Sequence, residues 1–183
     1  MANSSLLNVL DVRIQKAISE GRAFIISIDG VGGTGKTTLA QTFSSKYTGV
    51  VLSLDNYLIP HKGTYIPNLR YDNLSDDLGM AIKGARVIII EGICALTVLE
   101  KLNQVPDYSI YTRSVDKSGN WNDEYYYSEE NDLNEILNQL DKIEARHPDE
   151  PDIADHDREL VHYHIEKRPI TNADFVLDQY IPV

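Results

Sequence analysis

The stretch "IDGVGGTGKTTLA", Ile28 to Ala40, decides how the rest of the chain reads. The apolar run "AFIISI", Ala23 to Ile28, leads into it, and a helical pattern from Lys36 to Lys46 leaves it. Continuous rather than alternating apolarity predicts a strand buried on both faces, as in a parallel sheet. Between strand and helix, "GVGGTGKT", Gly30 to Thr37, satisfies G-x-x-x-x-G-K-[ST] at every defined position. Glycines let backbone N–H groups approach a polyphosphate closely, and the following helix adds its positive N-terminal end. Gly30, Gly32, Gly33, Thr34, Gly35, Lys36, Thr37 and Thr38 are therefore the candidate nucleotide-binding residues. Lys36 is expected to reach the β- and γ-phosphates, Thr37 to offer its hydroxyl to Mg²⁺, and Thr38 to contact the α-phosphate. The expected ligand is a nucleoside triphosphate with Mg²⁺.

Outward from this loop, strands and helices alternate. "VVLSL", Val50 to Leu54, is the second strand candidate and ends at Asp55. "RVIIIEG" is the third and ends at Glu91, "DYSIYTRS" is the fourth, and "ADFVL", Ala173 to Leu177, is the last. Helices are expected over residues 1–21, in "DNLSDDLGMAIKG" with Asn73 or Ser75 as cap and Gly84 as stop, and in "ALTVLEKLN". Two more are expected from Leu133 to Ala145 and from Ile153 to His164. This order predicts a single α/β domain over residues 1–183, a three-layer P-loop NTPase fold with a mostly parallel sheet and helices on both faces. Ligands in such sheets bind at the carboxyl ends of the strands, so Asp29, Asp55 and Glu91 are expected to face one crevice. Residues 114–132, "SVDKSGNWNDEYYYSEEND", break the rhythm and read as an acidic, Tyr-rich insertion, a mobile loop or lid region.

Composition narrows the partners. The 183 residues carry 17 basic and 28 acidic side chains, a net charge of −11. That charge disfavours nucleic acid as a partner, but a local pocket can still be positive for a small phosphorylated ligand. No run of about 18 apolar residues exists, so no membrane span is expected. The lone cysteine, Cys94, excludes a disulfide within the chain and reads as a small buried residue in a reducing, cytoplasmic setting. The exposed part of the N-terminal helix is a candidate homo-oligomer interface.

A guanine-reading N-K-x-D signature is absent, and the third strand ends in a single acid, "VIIIEGI", where motor-type ATPases end in Asp-Glu. Taken in order, "IDGVGGTGKTT", "LSLDNYL", "VIIIEGI" and "YHIEKRPITNADFVL" resemble the uridine kinase and phosphoribulokinase group of P-loop kinases, over roughly Phe24 to Leu177. The resemblance implies an ATP-dependent kinase acting on a hydroxyl of a nucleoside, sugar or related metabolite. It implies that Asp55 accepts the hydroxyl proton, that Tyr57 shapes the acceptor pocket, and that Glu91 joins Thr37 in holding Mg²⁺. The segment between the second and third strands is shorter than in uridine kinases, and their arginine-rich lid is absent, so the acceptor stays open. A nucleotide-binding regulatory or assembly protein and a slow NTPase stand as alternatives.

Phosphoryl transfer needs positive charge on the migrating group. The candidates are Arg113, Arg146, Arg158, Lys167 and Arg168, with Arg146 and Arg158 nearest the expected lid position. His61 and Arg70 are candidate substrate contacts in the loop after Asp55. In "DHDRELVHYH", His156, His162 and His164 read as a solvated helix face rather than a metal site.

Overall fold

The computed structural model describes residues 4–60, 63–145 and 151–180. Five strands form one sheet: β1 (Phe24–Asp29), β2 (Val50–Ser53), β3 (Val87–Glu91), β4 (Tyr108–Val115) and β5 (Phe175–Tyr180). Their order is β2-β3-β1-β4-β5, and every neighbouring pair is parallel. Alternation along the strands assigns the two faces. Phe24, Ile26 and Ile28 of β1 and Val87 and Ile89 of β3 pack with α1 (Ser4–Ser19) and α2 (Lys36–Tyr47). Ile25, Ile88 and Ile90 face the other way, against α3 (Tyr71–Gly84), α4 (Ala95–Lys101) and α7 (Pro151–Lys167). The expected three layers are present. Central strands β1 and β3 are buried along their whole length, which is why they read as unbroken apolar runs.

Register fixes the functional end of the sheet. Ile28 of β1 and Ser53 of β2 both pair with Glu91 of β3, so β1, β2 and β3 finish at one level. A 3₁₀ turn, Leu54–Tyr57, follows β2 directly and carries Asp55. A second 3₁₀ turn, Ile66–Asn68, precedes α3.

Several boundaries differ from the sequence reading. Asn73 and Ser75 lie inside α3, whose N-cap is Arg70, with no side-chain cap bond. The last strand begins at Phe175 rather than Ala173 and runs on to Tyr180, because it is held along β4 as far as the Val115–Tyr180 pair. Residues 114–132 are not a free loop. Val115 bridges Trp121, Asp116 accepts from the backbone of Ser118 and Asn120 in a tight turn, and α5 (Glu124–Tyr127) follows. Glu129 then accepts from Ile170 N at 2.6 Å and from the Thr171 hydroxyl at 2.6 Å, tying the segment down in front of β5. Helix α6 (Leu133–Glu144) packs on α7 through Ile136, Leu140 and Val161.

The histidines of α7 also part company with the expectation. His162 is half-exposed and faces Glu166, in keeping with a solvated face. His164 is buried between Tyr111 and Tyr127. The Leu160 carbonyl, 2.6 Å from Nδ1, can only accept, so Nδ1 carries the proton and Nε2 accepts from the Tyr111 hydroxyl at 2.6 Å. Burial pushes the His164 pKa down, opposed by the Leu160 carbonyl and by Asp29, Glu129 and Asp123. The sign follows. The unfolded ring binds a proton below about pH 6.5 while the folded ring resists it, so stability is full above that pH and falls as pH drops. Urea unfolding at pH 7.5 and 5.5 is expected to show a loss of up to about 1.4 kcal/mol per pH unit. The loss should shrink in His164→Gln. Equal pH slopes in the two proteins would contradict this.

Candidate active site

The loop from Gly30 to Gly35 bends around the open end of β1 and hands the chain to α2. Gly35 has φ +79°, the left-handed region, and a Cβ there would lie 2.8 Å from the Gln179 side chain. Gln179, on β5, donates to the Thr34 carbonyl at 2.8 Å and so braces the loop from outside. From inside, the Thr34 and Thr112 hydroxyls meet at 2.8 Å, and Thr112 also donates to the Asp29 carbonyl at 3.1 Å. The loop conformation is therefore held by the protein itself, through β4 and β5.

A cavity of about 600 Å³ opens over this loop. Gly32, Gly33, Gly35, Lys36, Thr37 and Thr38 form its floor, and Asp55, Leu58, Tyr65, Glu91, Ile93 and His156 form its walls. Lys36 is buried, and its Nζ donates to the Val31 carbonyl at 2.7 Å, which leaves two protons for a ligand. Burial pushes its pKa down, while Asp29, Glu91 and Asp55 pull it back up. The Thr37 hydroxyl stands 3.3 Å from both Glu91 carboxylate oxygens. These are hard oxygen donors, the kind Mg²⁺ takes. Among the described residues no group of three His, Cys, Asp or Glu side chains could hold a metal by itself. Thr37 and Glu91 fit a cation that keeps waters and phosphate oxygens for its other positions.

Asp29 does not face the crevice, contrary to the sequence expectation. It is buried beneath the loop, where it accepts from Gly30 N at 2.7 Å, from Ala95 N at 3.1 Å and from the Tyr163 hydroxyl of α7. Burial pushes its pKa up, and the Tyr163 and Gly30 bonds with Lys36 and His164 oppose that. Cys94 is buried as expected, at a left-handed φ of +56°.

Among solved structures, this architecture is similar to one described as a possible uridine kinase from Bacillus stearothermophilus. The TM-score is 0.52 at 16% identity, covering 92% of this chain and 99% of that one. The fold is the three-layer P-loop NTPase fold. Lower scores relate it to a thymidylate kinase from Candida albicans (TM-score 0.44, 13% identity, 86% of this chain and 84% of that one). A shikimate kinase from Bacteroides thetaiotaomicron scores 0.40 at 16% identity, covering 85% of each chain. No family model and no curated relative matches the chain.

Within this P-loop fold the expected site residues separate into two groups. Lys36, Thr37, Thr38, Gly32, Gly33, Gly35, Asp55 and Glu91 share the cavity. Gly30 and Thr34 support the loop from behind, packed on Thr112. Tyr57 is buried in the core, its hydroxyl donating to Asp77 of α3 at 2.7 Å, and its pKa is pushed up to about 12 by burial and that carboxylate. It does not line the cavity; Tyr65 does. Arg70 donates to the Asn56 carbonyl at 2.6 Å and the Tyr57 carbonyl at 3.3 Å, so it fixes the turn that carries Asp55. Arg158 is held by Asp141 at 2.6 Å and Glu144 at 2.7 Å on α6. Arg113 pairs with Asp178, Lys167 with Glu100, and Arg168 with Glu130 and Glu129. His61 and Arg146 lie outside the described residues. Among the described residues that line the cavity, Lys36 is the one lysine or arginine. His156, expected on a solvated helix face, lines the cavity instead, and so does Tyr65, which the sequence offers only as one of several residues in the loop after Asp55. Each is a lone aromatic in a polar context, and no spacing rule connects it to Asp55.

Proposed function

We propose that this chain is an ATP-dependent kinase of small molecules, transferring the γ-phosphate to a hydroxyl. The observation that carries the reading is the shared cavity: a strand-end carboxylate with no role in the loop, Asp55, opens onto the same space as Lys36, Thr37 and Glu91. A pure nucleotide-binding site has no use for that base.

In this reading the triphosphate lies on the loop amides and the N-terminus of α2. Lys36 donates to its β- and γ-oxygens. Thr37 and Glu91 would hold Mg²⁺, which would supply positive charge to the phosphate oxygens. Asp55 accepts the proton of the acceptor hydroxyl as that oxygen bonds to the γ-phosphorus and the bond to the β-bridging oxygen breaks, its electron pair leaving with ADP. The acceptor is a nucleoside, a sugar or a related metabolite, and the setting is cytoplasmic.

The test uses Mg-ATP with a panel of nucleosides, sugars and vitamins, following ADP release. Asp55→Asn is expected to lower acceptor-stimulated turnover by about 100-fold, the low end for a general base, because loose phosphoryl transfer demands little proton removal at the transition state. ATP affinity should hold. One observation favours a second reading, a regulator or slow NTPase: Lys36 stands alone as a cation among the described cavity residues. ATP binding without turnover on any acceptor would support the regulator. Hydrolysis indifferent to acceptor and to Asp55→Asn would support the NTPase.

A further inference from the structure

Asp55 is exposed to the cavity, yet one of its oxygens is already engaged. The Tyr65 hydroxyl donates to Oδ1 at 2.7 Å, which leaves Oδ2 to meet a substrate. Tyr65 itself is buried in a stretch of irregular backbone, where a side chain is ordinarily mobile. Its anchor is remote in sequence. The Glu159 carboxylate, on α7, accepts from the backbone N–H of Tyr65 at 2.5 Å and of Ile66 at 3.0 Å. The Tyr71 hydroxyl closes the other side by donating to the Ile66 carbonyl at 2.9 Å.

Deepening the kinase reading and resting on it, we propose that Glu159 and Tyr65 are positioning residues for the base: Glu159 fixes the loop backbone, and Tyr65 turns the Asp55 carboxylate so that Oδ2 is presented to the acceptor hydroxyl. A free aspartate samples several rotamers, and a base must sit within hydrogen-bond reach of the proton it takes. Burial and the neighbouring Asp55 charge push the Tyr65 pKa well up, so its hydroxyl stays a donor through the neutral range. Helix geometry extends the device. Tyr163 lies one turn beyond Glu159 on the same helix, and it bonds to Asp29 beneath the phosphate loop. One face of α7 thus sets the base and the phosphate loop relative to each other.

Tyr65→Phe keeps the ring in the core and removes only the hydroxyl. It is expected to lower kcat with the best acceptor about 10- to 100-fold, with the KM for ATP within about twofold. In an Asp55→Asn background the same substitution should add almost nothing, because the group it orients is gone. Glu159→Gln, which keeps one acceptor, should lose less kcat than Glu159→Ala, and both should speed amide exchange at Tyr65 and Ile66. Losses from Tyr65→Phe and Asp55→Asn that multiply, or a loss shared equally with ATP affinity, would reduce Tyr65 to packing and overturn the inference. Turnover that falls in Asp55→Asn but not in Tyr65→Phe overturns this inference alone. Turnover that falls in neither overturns the kinase reading and this inference together.

Discussion

Lys36→Met is expected to remove the stabilisation that Mg-ATP confers on the wild-type protein and to lower any turnover by about 1,000-fold, the upper range for loss of one preorganised donor. At a ligand concentration about 100 times the Kd, wild-type binding should add about 2.7 kcal/mol. For a chain of this size that is a rise in Tm of roughly 5–11 °C. The reason lies in the charge balance of the cavity. Lys36 sits among Asp29, Glu91 and Asp55, and among the described cavity residues no other lysine or arginine opposes them. Methionine keeps the length and apolar stem and deletes the charge, so the two carboxylates that open onto the cavity, Asp55 and Glu91, would then confront the incoming phosphates unopposed by any lysine or arginine among the described cavity residues. Arginine is not expected to rescue. The Lys36 ammonium is buried 2.7 Å from the Val31 carbonyl, a slot for a compact point charge and not for a planar fork. An equal thermal shift in wild type and Lys36→Met would show that the loop does not hold the triphosphate as described.

The floor of the site was legible in the sequence because its chemistry is local. Six of the eight residues expected to bind nucleotide line the cavity, since one short loop contains both the backbone turn and the polar tools. The remaining two, Gly30 and Thr34, show what a motif leaves out: some of its positions hold the loop to β4 and do not line the cavity. Asp55 and Glu91 were legible because parallel strands deliver their C-terminal residues to one edge, and the shared register of Ile28, Ser53 and Glu91 bears that out. The same rule misplaced Asp29. A carboxylate at a strand end can turn inward when a buried hydroxyl such as that of Tyr163 awaits it, and Tyr163 lies 134 residues away in the chain.

The walls were illegible for a related reason. Tyr57 and Tyr65 both follow Asp55 closely, and sequence distance favours Tyr57. The 3₁₀ turn points Tyr57 into the core toward Asp77, and Glu159 brings Tyr65 back over Asp55. Among the described basic candidates, Arg158 is held by carboxylates of α6, Arg113 by one of β5 and Lys167 by one of α4, and none of them lines the cavity. With 28 acidic side chains against 17 basic ones, carboxylates are plentiful, and among the described residues Arg13, Lys16, Arg22, Lys46, Arg113, Arg158, Lys167 and Arg168 each pair with one.

Gly30→Ala is expected to destabilise the fold by at least about 3 kcal/mol, lowering Tm by roughly 6–12 °C, where Gly32→Ala changes Tm by about 2 °C or less. The two glycines share one loop and differ in what a methyl group would meet. Gly30 has φ +144°, and a Cβ there would lie 2.4 Å from the Thr112 carbonyl oxygen and 2.6 Å from its hydroxyl. That carbonyl belongs to β4, which is paired to β1 on one side and β5 on the other, so it cannot retreat without opening the sheet. The Thr112 hydroxyl is likewise committed, to Thr34 and to the Asp29 carbonyl. A Cβ on Gly32 meets no atom within 4 Å, and its backbone needs no left-handed φ. It would project from a residue that lines the cavity, so Gly32→Ala should spare stability and weaken Mg-ATP binding by crowding the approach of the phosphates. Melting curves with and without Mg-ATP separate the two. If Gly30→Ala melts with the wild type, the close approach of loop to β4 is wrong; if Gly32→Ala keeps the full Mg-ATP shift, the phosphates do not pass over Gly32.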